Sequence, residues 1–396
     1  MSPSFHIPYI LPTALLALAL VLKLPTFLRA SRDPDVRATT LLLTWATAVL
    51  VVITPANIER LNVLTGVPNI AAPWAYSFLT AFCATGLTMI MRWREEPSER
   101  RRRRIRRIYW LYAGIIAVLW LTFLLADVPT ARIYDLDTYY ASTPWMREHI
   151  LLYIAAHTVS SLVAVSMLWK WFPAVANRWL KAGVVFLQLG FASGLVFDVA
   201  KMAAIGARWA GHDWDVLSTQ AAPPFALMEA AFVALGFIVP QAGPFLLRWI
   251  RDQREYHRLG PLWRALRVLT PAAAEARFGP WTPLDLRLMQ RRQRIHDALR
   301  VLSPYFDLAL HQRAREAAQA RRDTLNADDV AGAITISAAI STYQQGGPPT
   351  AHPEGLQGGV VVSDRIEGIA SALSHPHILE DVRRRTISTE SANHHG

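Results

Sequence analysis

Long apolar runs separated by short polar loops fill the first 250 residues. An α-helix rises about 1.5 Å per residue, so about 20 apolar residues cross a hydrocarbon core of about 30 Å. Seven stretches have this length: 7–28, 39–57, 73–91, 108–126, 149–168, 182–205 and 223–247. Lys23 interrupts the first, but a lysine near a helix end can extend its ammonium to the interface. No Lys or Arg precedes that run and no small-residue cleavage site follows it, which argues for a retained span and against a signal peptide.

Beyond residue 250 the pattern becomes amphipathic. Residues 248–270 predict a basic helix with Leu262, Leu266 and Leu269 on one face. Residues 284–302 predict a second, with Leu286, Met289, Ile295, Leu299 and Leu302 as its apolar stripe, and 305–322 a third. Asn326 suits an N-cap for a helix over 327–343, with Asp328 and Asp329 in the first turn where the dipole favours acids. Pro271 and Pro280 punctuate this region, and 344–359 is a Gly- and Pro-rich linker. The predicted fold is all-α. A seven-helix transmembrane bundle (1–250) precedes a cytoplasmic helical domain (251–345) and a flexible tail (346–396) with short helices at 366–373 and 378–385.

Charge sets the expected orientation. Loop one carries Lys23, Arg29, Arg32 and Arg37. Loop three carries Arg92, Arg94, Arg100, Arg101, Arg102, Arg103, Arg104, Arg106 and Arg107, and loop five Lys170, Arg178 and Lys181. The even loops are poor in both residue types, so the positive-inside rule places the N-terminus outside and the C-terminus in the cytoplasm. Trp74, Tyr76 and Trp145 fall in the outer aromatic belt, Trp93, Tyr109 and Trp110 in the inner. The arginine run at Arg100 and beyond sits between two spans, which favours anionic lipid headgroups over nucleic acid.

Composition narrows the chemistry. Charged residues are 18% of the 396 and hydrophobic ones 52%, as a membrane protein requires. A single cysteine, Cys83, excludes an internal disulfide and any multi-cysteine metal site. No phosphate-binding loop, nucleophile elbow or zinc-protease motif occurs, so neither an enzyme nor a cofactor is expected. Asp127, Asp135, Asp137, His212, Asp213 and Asp215 read as solvated loop residues, although the fourth loop is long enough to fold over a pocket.

Ionisable groups inside spans are costly and mark candidate function. His157 lies in the fifth span, Asp198 and Lys201 in the sixth and Glu229 in the seventh, all expected in the outward half as ligand-binding or proton-linked groups. Asp198 and Lys201, three residues apart, are in reach of each other as an ion pair near the surface. Gly190 and Gly194 form a close-packing pair leading to Asp198, and Pro240 is placed to kink the seventh span.

One segment resembles a known family. His257-Arg258-Leu259-Gly260-Pro261-Leu262-Trp263-Arg264-Ala265-Leu266 leads to Thr270-Pro271, then Arg291 to Leu299 and Leu302-Ser303-Pro304-Tyr305. With the upstream spans, this resembles actinobacterial multi-pass membrane proteins that carry a C-terminal domain of unknown function and often a transporter label. The resemblance implies a bacterial plasma membrane. Pro261 suits a helix first turn, and Pro261, Leu262, Trp263 and Leu266 read as an elbow after the seventh span. The expected function is receptor-like: an outward pocket binds a small molecule and a cytoplasmic helical domain engages a protein partner. The alternative is a proton- or ion-coupled secondary transporter, against which stands the lack of a duplicated half.

Overall fold

The computed structural model describes residues 9–269, 282–321, 325–349 and 364–393. Pro271, Pro280 and most of the predicted linker lie outside them. The chain divides into two compact units, Met1–Pro244 and Phe245–Gly396. The described residues contain helices and no strand.

The first unit holds α1 (Ile10–Arg29), α2 (Pro34–Ile53), α3 (Pro55–Thr65), α4 (Ala71–Arg94), α5 (Glu99–Leu125), α6 (Leu136–Tyr139), α7 (Met146–Trp171) and α8 (Arg178–Trp209). A π-helical turn, Leu217–Ala221, leads into α9 (Ala222–Arg258), within which the unit boundary falls. Seven of the helical segments are long and apolar enough to cross a membrane, making this a multi-pass membrane protein. The second ends at Ile53, short of the predicted 57, because Pro55 opens α3 and pushes Thr54 into extended backbone.

Local chemistry fixes the helix starts. Asp33 caps α2 by accepting from the Asp35 amide at 2.8 Å, and Ser98 caps α5 by accepting from Arg101 at 3.1 Å. Asn177 caps α8 by accepting from Trp179 and Leu180. Helix α4 is the central rod, packed on α2, α5 and α7. Its small residues, among them Ala71, Ala75, Ser77, Ala84 and Gly86, let those neighbours approach.

The second unit contains α10 (Gly260–Leu266), α11 (Leu284–Leu302), α12 (Leu308–Gln319), α13 (Ala327–Gln344), α14 (Ile366–Ala372) and α15 (Pro376–Asn393). The helix predicted over 248–270 is interrupted: α9 ends at Arg258, Pro261 lies in the first turn of α10, and Arg267–Leu269 form a 3-10 turn. Leu262 and Leu266 are fully buried in this unit's core and Trp263 packs half-buried against it.

Two expectations for this unit are corrected. The buried stripe of α11 is Leu288, Ile295, Ala298, Leu299 and Leu302, while Leu286 and Met289 point to its exposed side. The end of the chain is not a loose tail across its described residues. Ile369, Ala370, Ala372 and Val382 are buried with α10 to α13 in one core. Arg365 donates to Asp329 at 2.9 Å and Asp328 at 2.8 Å, fastening the start of α14 to the start of α13. A Cβ on Gly332 would lie 2.8 Å from Ile369 Cδ1, so the glycine permits the close approach of α14.

Candidate functional site

Three helices bring their ionisable residues to one place. On α7, His149, Tyr153 and His157 recur every four residues and share the buried face with Ser160 and Ser161. On α8, Gly183, Gly190, Gly194 and Asp198 form a stripe whose small members meet α9. Cβ atoms built on Gly183 would lie 2.5 Å from Pro240 Cγ, and on Gly190 3.2 Å from Val233. That contact delivers Glu229 of α9 beside His157 of α7.

His157 is the bridge. Its Nδ1 lies 2.9 Å from both carboxylate oxygens of Asp198, and its Nε2 lies 3.3 Å from Glu229 Oε1. Thr158 donates to Asp198 Oδ2 at 3.0 Å. His157 is 2% exposed, Asp198 1% and Glu229 8%, so solvent does not screen the triad.

Lys201 departs from the sequence expectation. Its ammonium does not pair with Asp198. It meets Asp137 Oδ2 at 2.7 Å and donates to Ser218 Oγ at 3.0 Å. Both residues of the expected surface pair are buried, and each has a different partner. The reason is the fourth loop, which folds back so that α6 inserts Asp137 beside α8. Tyr76 and Tyr153 stack with ring centroids 3.7 Å apart and donate to the two oxygens of Asp137, each at 2.8 Å. Burial alone lifts the Asp137 carboxyl. The Lys201 ammonium and these hydroxyl donors outweigh it and hold the group below its ordinary value.

Asp137, Tyr76, Tyr153, Thr158 and Ser218 are therefore site residues that the sequence did not single out. Asp137 had the appearance of a solvated loop acid and Tyr76 of a belt aromatic. The four-residue step from Tyr153 to His157 was the one available signal. Ser218 sits in the π-helical turn, a geometry that often accompanies functional positions.

The two clusters border one cavity of about 230 Å³. Asp137, Lys201, His157 and Glu229 line its polar side, and Leu50, Leu79, Phe82 and Val233 belong to its apolar side. Arg132 also reaches the lining and is paired with Asp135 at 3.5 Å.

Proton counting defines what this arrangement can do. A neutral imidazole has one N–H, yet both His157 nitrogens face carboxylates. Both contacts are hydrogen bonds only if His157 is imidazolium, or if Glu229 or Asp198 carries a proton that it donates to the bare nitrogen. Either way the triad holds one added proton and a net charge of −1. Asp137 and Lys201 cancel each other. The buried assembly thus keeps one unit of negative charge, which a second proton or a bound cation would neutralise.

The glycine beneath the triad gives a direct test. A Cβ on Gly194 would lie 2.5 Å from Glu229 Oε2 and 2.9 Å from His157 Cε1. Gly194→Ala is expected to destabilise the protein by about 1–3 kcal/mol through overpacking, read as a lower thermal midpoint in detergent. Gly206, with no atom within 4 Å of a built Cβ, is the control. Equal midpoints for the two alanine variants would show that Glu229 is free to swing away.

Comparison with known proteins locates one region. Residues 248–371 match a family of unknown function, DUF6545. The matched region begins within α9 and ends within α14. It contains the hydrophobic positions Leu262, Leu266, Leu299 and Ile369 that build the second unit's core. No curated protein and no solved structure matches the chain.

The remaining sequence candidates have structural places. Pro240 packs on Gly183, and Gly190 and Gly194 face α9. Arg100, Arg103 and Arg107 are exposed on α5, whereas Arg101 and Arg104 are tied to Glu95. Among the described residues, His, Cys, Asp and Glu form no group of three arranged to hold a metal ion.

Proposed function

We propose that the membrane bundle is a proton-linked receptor for a small organic cation, a binding protein and not an enzyme. One observation carries this: a buried cluster one positive charge short of neutrality, bordering a cavity with aromatic and aliphatic walls. A cation with an apolar body suits both sides, because its charge replaces the missing proton and its body meets Phe82 and the aliphatic wall. Glu229 belongs to α9, the helix that enters the family-matched region. That continuity supports passage of the binding event to the C-terminal helical unit and a cytoplasmic protein partner. The alternation of basic and non-basic loops supports a plasma-membrane topology with the N-terminus outside.

The test uses the purified full-length protein with benzyltrimethylammonium as the probe and its neutral carbon isostere as the control. Calorimetry is expected to show binding of the cation at least tenfold tighter than of the isostere. Binding should weaken as pH falls, because a second proton competes with the cation for the same negative charge. Glu229→Gln should retain the fold and lose both the tight binding of the cation and this pH dependence. Equal binding of cation and isostere would remove the charge argument.

The shareable proton also favours a second reading, proton-coupled transport of the same class of molecule. Proteoliposomes with an imposed pH gradient separate the two. Gradient-driven accumulation of the probe supports transport. Binding without accumulation, with output lost on deleting residues 251–396, supports the receptor.

A further inference from the structure

At the opposite end of the bundle from Asp137, the first unit has a second cavity, a groove of about 820 Å³. It lies between the start of α2, the end of α4 and the first turns of α5. Arg92, Arg101, Arg102 and Arg106 line it, against a single carboxylate, Asp35. Asp35 lies 4.0 Å from Arg92, and Arg102 reaches Glu99 on its outer side at 3.0 Å. No ion pair involves Arg106 among the described residues. The Nε atoms of Arg92 and Arg101 are buried with no hydrogen-bond partner. Those two atoms are closed to solvent and so to a ligand; the outer guanidinium nitrogens, exposed on Arg102 and Arg106, are the donors that a phosphate oxygen would meet.

The rest of the groove specifies the source of that phosphate. Along α5 the lining continues at four-residue steps, from Arg102 to Arg106 to Trp110, and from Arg101 to Ile105, Tyr109 and Ala113. The groove therefore passes from guanidinium to aromatic to aliphatic over about 16 Å of helix. Trp110 is 74% exposed, and the Tyr109 ring is fixed by a 3.0 Å hydrogen bond between its hydroxyl and Thr88. This stretch of α5 is part of a membrane-spanning helix. A free phosphate would use only one end of such a groove. An amphiphile would use all of it.

We propose that this groove is a binding site for an anionic glycerophospholipid. Its phosphate is held by Arg92, Arg101, Arg102 and Arg106, and an acyl chain lies along Trp110 and Ala113. The claim is narrower than general attraction of a basic loop to an acidic surface. It assigns binding to the arginines facing the groove and not to Arg100, Arg103 and Arg107 on the same helix.

Native mass spectrometry of the full-length protein, extracted from vesicles of phosphatidylcholine and phosphatidylglycerol, tests it. Wild type and Arg100→Gln/Arg103→Gln/Arg107→Gln are expected to retain bound phosphatidylglycerol. Arg102→Gln/Arg106→Gln should lose it about thirtyfold, two arginine contacts' worth. This double variant spares Arg101, which also braces the α4–α5 turn by donating to Glu95 O. A matching elution volume and thermal midpoint will confirm its fold. Equal loss in both variant sets would mean diffuse surface charge and overturn the proposal, as would retention in the double variant. Displacement of the lipid by inorganic phosphate would assign the groove to the free anion, and overturn it too.

Discussion

Asp137→Asn is expected to destabilise the membrane unit by about 3–5 kcal/mol, because it leaves the buried Lys201 ammonium without its carboxylate. Tyr76 and Tyr153 lose a charged acceptor in the same step. Thermal unfolding in detergent will register the change as a lower midpoint. Pairing the substitution with Lys201→Met should recover most of the loss, since removing both charges costs far less than stranding one. If the single variant melts with wild type, the pair is not the clasp described above.

The pH dependence of the same clasp follows from its sign. The Asp137 carboxyl titrates near 3.8 when unfolded and lower when folded. A depressed carboxyl contributes its full stabilisation above the unfolded value and loses it as pH falls through the folded value. The gap in stability between wild type and Asp137→Asn should therefore be flat at neutral pH and close below pH 3.8. A gap that persists unchanged at the lowest accessible pH would point to packing and not charge.

The second large effect is expected at the end of the chain. Ile369 is 1% exposed and Val382 fully buried, both within the C-terminal core. Ile369→Asp places an unpaired carboxylate there and should unfold the second unit. Ile369→Ala should cost about 2–5 kcal/mol by leaving a cavity against Gly332. Deleting residues 345–396 removes α14, α15 and the Arg365 bridges together. The expected readout, with the wild-type protein as reference, is rapid proteolysis of the truncated chain across α11 to α13. A truncated chain as resistant as wild type would restore the dispensable tail that composition implied.

That tail shows where the sequence was a poor guide. Its Gly- and Pro-rich approach and short apolar stretches lack the length that makes an isolated helix stable. Ile369 and Val382 gain their stability from helices nearby in space and distant in sequence. The same holds for α11, where Leu286 and Met289 fit a plausible stripe and the packing selected the neighbouring face through Leu288 and Ile295.

Among the site residues, His157, Asp198, Lys201 and Glu229 were legible because an ionisable group in an apolar run stands out by itself. Their partners were not. His157 meets Glu229 across 72 positions of sequence and Asp198 across 41. Lys201 passes over Asp198, its near neighbour on α8, for a carboxylate that a folded-back loop supplies.

The sequence by itself determined seven membrane helices followed by a helical C-terminal region, because span length and apolarity are local properties that lipid reads one helix at a time. Tertiary structure alone decided which buried charges neutralise one another, which one is left over, and which arginines face a groove. Those outcomes depend on distances between helices and on where a loop returns, and no local run of residues encodes either.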